Sequence, residues 1–452
     1  MPQDPTIDTV RLTPVLIADP PLLNTQGVHQ PYTPRLIVEV VTEDGVSGVG
    51  ETYGDARYLG AAASLAAALP GRRVTDLNGL HRLAALLPLA EPNGPDDHPG
   101  TPKGPAAGPA VSPAAGPAVS PAAGLRGAST PGKLRRSVVS AFEVALLDAL
   151  GRTTGLPVHA LLGGKVRDTV EYSGYLFYRW AAHPGGSGEP DDWGAALDPA
   201  GIVAQARRLA DRYGFASFKL KGGVLPPDEE IAAVRALADA FPGAPLRLDP
   251  NGAWSVATSL RVVRELADVL EYLEDPAATV GEMAEVAAGT PLPLATNMCV
   301  TAFEEIPEAF ARGAVRVVLC DHHYWGGLRA TGELAAICRT YGVALSMHSN
   351  THLGISLAAM THAAAVLPGL QHACDTHYPW QTEDVLTERP VFRDGRLAVG
   401  DRPGLGVELD RGRLAALHRR WLDDDGRHRD RDDVAAMRVH DPDWVTPAVP
   451  RW

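Results

Sequence analysis

Apolar and polar positions alternate through RLIVEVVTEDGVSGVGETYGD (35–55), with a break at Asp44-Gly45. Alternation sends successive side chains to opposite faces, and Asp-Gly suits a tight turn, so the segment predicts a β-hairpin. In SVVSAFEVALLDALGRTTG (137–155) the apolar residues recur at helical spacing and a glycine closes the run, which predicts a helix. Strands followed by a helix indicate a small α+β domain. Between the two lies a stretch, 93–133, without Phe, Trp or Tyr, in which AAGPAVSP occurs at 106–113 and again at 114–121. Such a segment cannot bury enough surface to offset its ordering entropy, and it reads as a flexible insertion in a surface loop.

From about residue 170 the pattern becomes short apolar runs separated by helical stretches such as DEEIAAVRALADAF and ATSLRVVRELADVL. The strand candidates are 172–178, 217–221, 246–250, 272–275, 293–297, 317–321, 344–348 and 373–377, each with polar residues at its C-terminal end. Measured between Lys221, Asp249, Glu274, Asn297, Asp321, His348 and Asp375, the steps are 28, 25, 23, 24, 27 and 27 residues. That period fits successive βα units, and eight such strands fit one closed parallel barrel with its chemistry at the C-terminal strand ends. A doubly wound open sheet competes, but no GxGxxG follows a first strand.

Composition narrows the function. The 452 residues are 45% hydrophobic and carry a formal net charge of −13, which argues against nucleic acid as a partner. The four cysteines form no CxxC pair, so neither a disulfide framework nor a zinc site is expected. The first residues lack the basic and apolar regions of a signal peptide, and no run of 18 apolar residues predicts a membrane span. The expectation is a cytoplasmic enzyme, assembled as a homo-oligomer, that acts on a small molecule.

The strand ends carry the candidate chemistry. Lys219 and Lys221 point to one face because they are two apart in a strand. Asp249, Glu274 and Asn297 supply two carboxylates and an amide oxygen from consecutive strands, a set suited to Mg²⁺. Asp321 and His348 follow on the next two. Singly these residues are ordinary: a Lys-x-Lys is usually solvated, Asp249-Pro250-Asn251-Gly252 is a plausible turn, and a lone histidine is usually structural. Together they suit removal of a proton α to a carboxylate, with a cation beside the developing charge and a base on each face. A lysine titrates near ~10.4 in isolation, and the ammonium of Lys219 together with the metal is expected to bring Lys221 toward ~7–8. Asp321 is expected to orient the His348 ring.

The motifs KLKGGVLPPDEE, LDPNGAWS, EDP, ATNM, HSNTHLGISLA, DTHYPWQ and PGLGVELD resemble the enolase superfamily, and within it the glucarate dehydratase family. ATNM is the most specific, since many superfamily members have a third carboxylate where this family has Asn. With ligand charge −2 instead of −3, the cation keeps more positive charge for a dianionic substrate. The resemblance implies a (β/α)7β TIM-like barrel over 166–400, an α+β capping domain over 1–165, and a C-terminal segment, 401–452, that returns to the cap. It implies dehydration of D-glucarate, and often L-idarate, to 5-keto-4-deoxy-D-glucarate. Lys221 would be the base on one face and His348, with Asp321, the base on the other; Asp249, Glu274 and Asn297 would hold Mg²⁺. The matching motifs put Asn251, Ser349 and Asn350 near the substrate, a dicarboxylate acid sugar. Asn24, His29, Tyr175, His377 and Arg431 fall at further family contacts, although 419–433 also reads as a mixed charge run at a solvated helix end.

The chain departs from the family at several points. The insertion abuts a family contact for which Ser129 or Thr130 is the nearest candidate, and the stretch after Glu274 is shorter. His322 stands where Asp-Pro-His is common. His322, His323, His352, His362 and His372 read as structural or supporting. An epimerase or dehydratase of another acid sugar, or a low-activity relative that only binds, remains a competing reading, because one fold hosts several outcomes.

Overall fold

A computed structural model describes residues 4–87, 130–186, 188–189 and 191–452. Most of the expected insertion, including Ser129, lies outside the described residues. Its last four residues belong to a helix start: the helix runs Pro131–Thr154, and Thr130 Oγ1 accepts the Lys133 N–H at 3.1 Å as its N-cap. Apolar spacing located this helix only from 137. Its first turn and a half, PGKLRR, is mostly polar, and a Thr cap with Pro at N1 is what starts it.

Three antiparallel strands form the cap sheet, in the order β1 (Ile7–Ala18), β2 (Tyr32–Thr42), β3 (Ser47–Tyr53). The hairpin expected around Asp44-Gly45 is β2–β3. β1 was not foreseen; it is an edge strand and so tolerates Pro14 within it. The helix Pro131–Thr154 lies against β2 and β3 so closely that a Cβ at Gly50 would collide with the Ala141 carbonyl.

Eight strands follow: β4 (Thr169–Phe177), β5 (Phe218–Lys221), β6 (Leu246–Asp249), β7 (Leu270–Glu274), β8 (Leu294–Thr296), β9 (Val317–Cys320), β10 (Ala344–Met347) and β11 (Cys374–Thr376). They pair in parallel in chain order, and β11 returns to pair β4. Between β10 and β11 the seam is thinner, held by Ser346 Oγ on Ala373 O at 2.9 Å and Gln371 N on Leu345 O at 3.1 Å. The result is a nearly closed barrel with a principal helix in each of its seven connections. In β5, Phe218 and Leu220 pack outward while Lys219 and Lys221 face inward, the alternation that period two dictates. The interior is filled, not a pore: Tyr272, Ala295, Val317 and Leu319 cluster there, with the Arg247 guanidinium 4.8 Å over the Tyr272 ring.

After the barrel, β12 (Arg396–Ala398) pairs antiparallel with β4, and the helix Arg411–Asp423 packs on β1 of the cap. Among the described residues, no helix is long and apolar enough to cross a membrane.

Candidate active site

Lys219 Nζ donates to both Glu274 oxygens at 2.8 and 2.6 Å and to Asp375 Oδ2 at 2.7 Å, with Asp249 Oδ2 at 3.6 Å. Burial alone would lower this ammonium, but Asp375 and Glu274 outweigh it and hold it well above the usual lysine range. Its charge is therefore balanced by a ring of carboxylates, so it does not act on Lys221 as a simple like-charge neighbour. Lys221 stands one layer nearer the mouth, donating to Asp249 Oδ2 at 2.7 Å and Asn251 Oδ1 at 2.8 Å.

Asp249 and Glu274 are fully buried at adjacent strand ends, and Asn297 follows β8. Burial and the Asp249 charge push Glu274 well above the ordinary carboxylate range; burial would do the same to Asp249, but Lys221 and Lys219 bring it down. Asn297 Oδ1 is buried with no hydrogen-bond partner among the described residues. Oxygen donors, crowded negative charge and an orphaned amide oxygen fit a hard divalent cation. Among the described residues, no three His, Cys, Asp or Glu side chains form a metal site on their own, so this set depends on Asn297 as its third member.

After β9 and β10, Asp321 Oδ2 accepts His348 Nδ1–H at 3.0 Å, which leaves Nε2 as the basic nitrogen. Burial lowers the His348 imidazole, against the pull of Asp321, and so keeps it neutral and able to accept a proton. For Asp321 burial acts upward, but His323 and His348 hold it well below the carboxylate range. The Tyr324 ring stacks 5.5 Å from His348. Asn350 Nδ2 donates to the Tyr53 hydroxyl of the cap, and its Oδ1 is buried without a partner among the described residues. Ser349 is turned inward, where its Oγ accepts the His377 N–H at 3.1 Å and meets His352 Nε2 at 3.2 Å.

The remaining candidates gather where the cap meets the barrel. His29 Nδ1 lies 3.2 Å from Asp19 Oδ1, and the His29 ring stacks at 6.1 Å on His377, whose Nδ1 is buried without a partner among the described residues. Tyr175 is buried with its ring 4.6 Å from Lys219 Nζ and 5.6 Å from the His377 ring. Asn24 Nδ2 donates to Asp433 Oδ2 at 2.8 Å, and Arg431 Nη2 donates to the same oxygen at 3.1 Å. Asn251 Nδ2 reaches Thr25 Oγ1, beside Asn24, at 3.4 Å. Arg431 and Asn24 thus share the Asp433 carboxylate, and the Arg431 side chain is half-buried. Thr130 serves as a helix cap.

The family model for the enolase C-terminal domain-like family matches residues 201–413. A probable glucarate dehydratase of Streptomyces coelicolor is 69% identical over the full length of both chains. The chain belongs to the glucarate dehydratase family of the enolase superfamily. Solved superfamily enolases agree: one from Mycobacterium smegmatis, complexed with tartrate, is 51% identical with a TM-score of 0.88 over 100% of this chain and 99% of its own. Another from Thermobispora bispora, complexed with magnesium and formate, is 51% identical with a TM-score of 0.89 over 99% and 100%. As a glucarate dehydratase-like enzyme the protein is a hydro-lyase, a carbon–oxygen lyase acting on acid sugars.

Sequence reasoning passed over several residues that this glucarate dehydratase-like chain packs around the candidate set. Asp375 marked a strand end, yet its charge pairs with Lys219 inside the barrel. Asp275, next to Glu274, accepts the Asn297 N–H at 2.9 Å and Thr296 Oγ1–H at 2.5 Å. Glu51 of β3 accepts the Leu353 and Ser356 N–H groups at 2.8 and 3.0 Å, fixing the segment that carries His348, Ser349 and Asn350. Asp275 and Asp375 had a local signal, one in Glu-Asp-Pro and the other at a strand end; Glu51 and Asp19 act through contacts that no spacing announces.

Proposed function

We propose that the protein dehydrates D-glucarate, and its epimer L-idarate, to 5-keto-4-deoxy-D-glucarate with Mg²⁺ as cofactor. The observation that carries this reading is the order around the barrel. The base candidates stand on β5 (Lys221) and after β10 (His348), and the ligand strands β6 to β8 lie between them. A substrate held at those ligands then meets one base on each face. The tartrate held by one solved relative and the magnesium and formate held by another support a carboxylate substrate at a cation.

Asp249, Glu274 and Asn297 would hold Mg²⁺, which when bound supplies positive charge to the carboxylate that becomes electron-rich as its neighbouring carbon loses a proton. His348 Nε2 takes that proton from one epimer and Lys221 Nζ takes it from the other. Asp321 accepts from Nδ1–H and stabilises the imidazolium formed. Where His348 is the base, the imidazolium formed then gives its proton to the hydroxyl on the adjacent carbon, which leaves as water; where Lys221 is the base, the departing hydroxyl takes its proton from a His348 that enters the reaction protonated from solvent. One C–H and one C–O bond break, a C=C forms, and the enol tautomerises to the ketone, so no redox partner is needed. Arg431 and His29 on the cap side, with Asn24, Tyr175, Asn251, Ser349, Asn350 and His377, are the proposed substrate contacts.

Incubation with Mg²⁺ and D-glucarate in D₂O, followed by proton NMR, is expected to show a keto-deoxy product. Absence of turnover across a library of hexarates contradicts the proposal; α-proton exchange without water loss makes the enzyme an epimerase instead.

A further inference from the structure

The ring of His323 lies between two groups that only accept hydrogen bonds. Its Nε2 is 3.1 Å from the Glu51 carbonyl oxygen of cap strand β3, and its Nδ1 is 2.9 Å from Asp321 Oδ1. A carbonyl oxygen has no proton to give, and neither has an ionised carboxylate. Asp321 also receives the His323 backbone N–H at 2.9 Å on the same oxygen and His348 Nδ1–H at 3.0 Å on the other, so every group around it is a donor, as suits the anion. A neutral His323 would leave one bare nitrogen lone pair facing an acceptor. The ring is buried, and a mismatch of that kind cannot be relieved by bulk water. Among the described residues, only the Ser356 hydroxyl, 3.2 Å from Nε2, could give a proton to that nitrogen, and it would leave the nearer Glu51 carbonyl facing a lone pair.

We propose that His323 is an imidazolium at neutral pH and is a positioning residue for His348, the two histidines sharing the Asp321 carboxylate. The inference rests on the proposed role of His348 as a base. With a cation on one side, Asp321 is half-compensated before His348 takes a proton, so it orients that ring without holding it protonated. His348 remains a neutral base, and the proton it gains is released readily to the departing hydroxyl. The carbonyl of Glu51 is the cap's contribution: it pins the His323 Nε2–H, so docking of the cap sheet onto the barrel helps set the charge beside the base. The other ionisable groups facing His323 are His322 on the same turn, with ring centroids 4.0 Å apart, Tyr53 of β3 at 5.9 Å, His352 after β10, and His348 beyond Asp321. Burial keeps His322 and His352 well below the ordinary histidine range, so neither adds a competing positive charge near neutrality.

The test uses the full-length protein labelled with ¹⁵N-histidine. Imidazole ¹H–¹⁵N NMR at pH 7 is expected to show both His323 nitrogens protonated, with the signal assigned by its loss in His323→Gln or, if that chain folds poorly, in His323→Asn. A bare nitrogen on His323 overturns the proposal. The second arm is the pH profile of kcat/KM, whose acid limb reports the base of the free enzyme. Loss of the neighbouring positive charge in His323→Gln is expected to move that limb up by roughly one pH unit. An unmoved limb in an active variant removes the positioning role. If no hexarate is turned over by the wild-type protein, the proposed function fails, while the NMR arm still decides the charge of His323.

Discussion

Asp275 accepts the backbone N–H of Asn297 at 2.9 Å, tying the exit of β7 to the exit of β8. It does so from a left-handed backbone, φ 37°, a conformation that few residues besides Gly, Asn and Asp adopt easily. Glu274, the preceding residue, and Asn297 are both candidate ligands, so Asp275 sets their separation. Removing it in Asp275→Ala should lower Mg²⁺ affinity by about 10–100-fold in titration calorimetry, the usual cost of losing a group that orients metal ligands. Unchanged affinity would show that Asn297 is held in place without it.

Lys219 is the counter-ion of the barrel interior. With Glu274, Asp375 and Asp249 around it and no solvent exposure, its removal takes from buried Glu274 its cation and leaves Asp375 only Arg247, at 3.5 Å, and Asp249 only Lys221 among the described residues. Lys219→Met should therefore lose about 3–5 kcal/mol of stability in urea unfolding without added metal, the range for breaking a buried pair. Saturating Mg²⁺ should restore part of it, because a cation that binds only the folded chain stabilises it. A stable variant indifferent to Mg²⁺ would contradict both the charge arrangement and the cation site.

Glu230 gives stability a pH dependence away from the catalytic groups. Its buried carboxyl accepts the N–H groups of Gly223, Val224 and Leu225 at 2.9 to 3.0 Å, shaping the loop after β5; burial pushes it up to about 7 against those donors. A carboxyl raised in the folded state contributes stability that is complete below its unfolded value, near ~4.3, and is lost as pH rises toward 7. Unfolding free energy should fall across that window by up to about 3 kcal/mol on account of this group, and Glu230→Gln should flatten the decline. Equal slopes in the two proteins would show that Glu230 titrates normally.

Much of the barrel was legible because its strands are short and sharply patterned. In β5 each apolar residue packs outward and each lysine inward, and the same alternation with a 23- to 28-residue period located the other strand ends. Asp249, Glu274 and Asn297 share one rim because three successive βα units deliver them there. The cap was less visible. β1 carries an interior proline that only its edge position explains, and the helix from Pro131 begins with a polar turn. Pairings such as Asn24 with Asp433 and Glu51 with Leu353 join segments hundreds of residues apart, and no local pattern encodes them. His322 and His323 look alike in Asp-His-His; only their surroundings, Ser140 for one and Asp321 with Glu51 for the other, separate them.

The most direct test of two bases on opposite faces is α-proton exchange in D₂O, with Mg²⁺ present, for His348→Asn and Lys221→Met, each offered D-glucarate and L-idarate. The account predicts a crossed result: each variant loses exchange with one epimer and keeps it with the other, and the epimer lost differs between them. If both variants exchange both epimers, or if both lose the same one, Lys221 and His348 do not divide the two faces of the substrate.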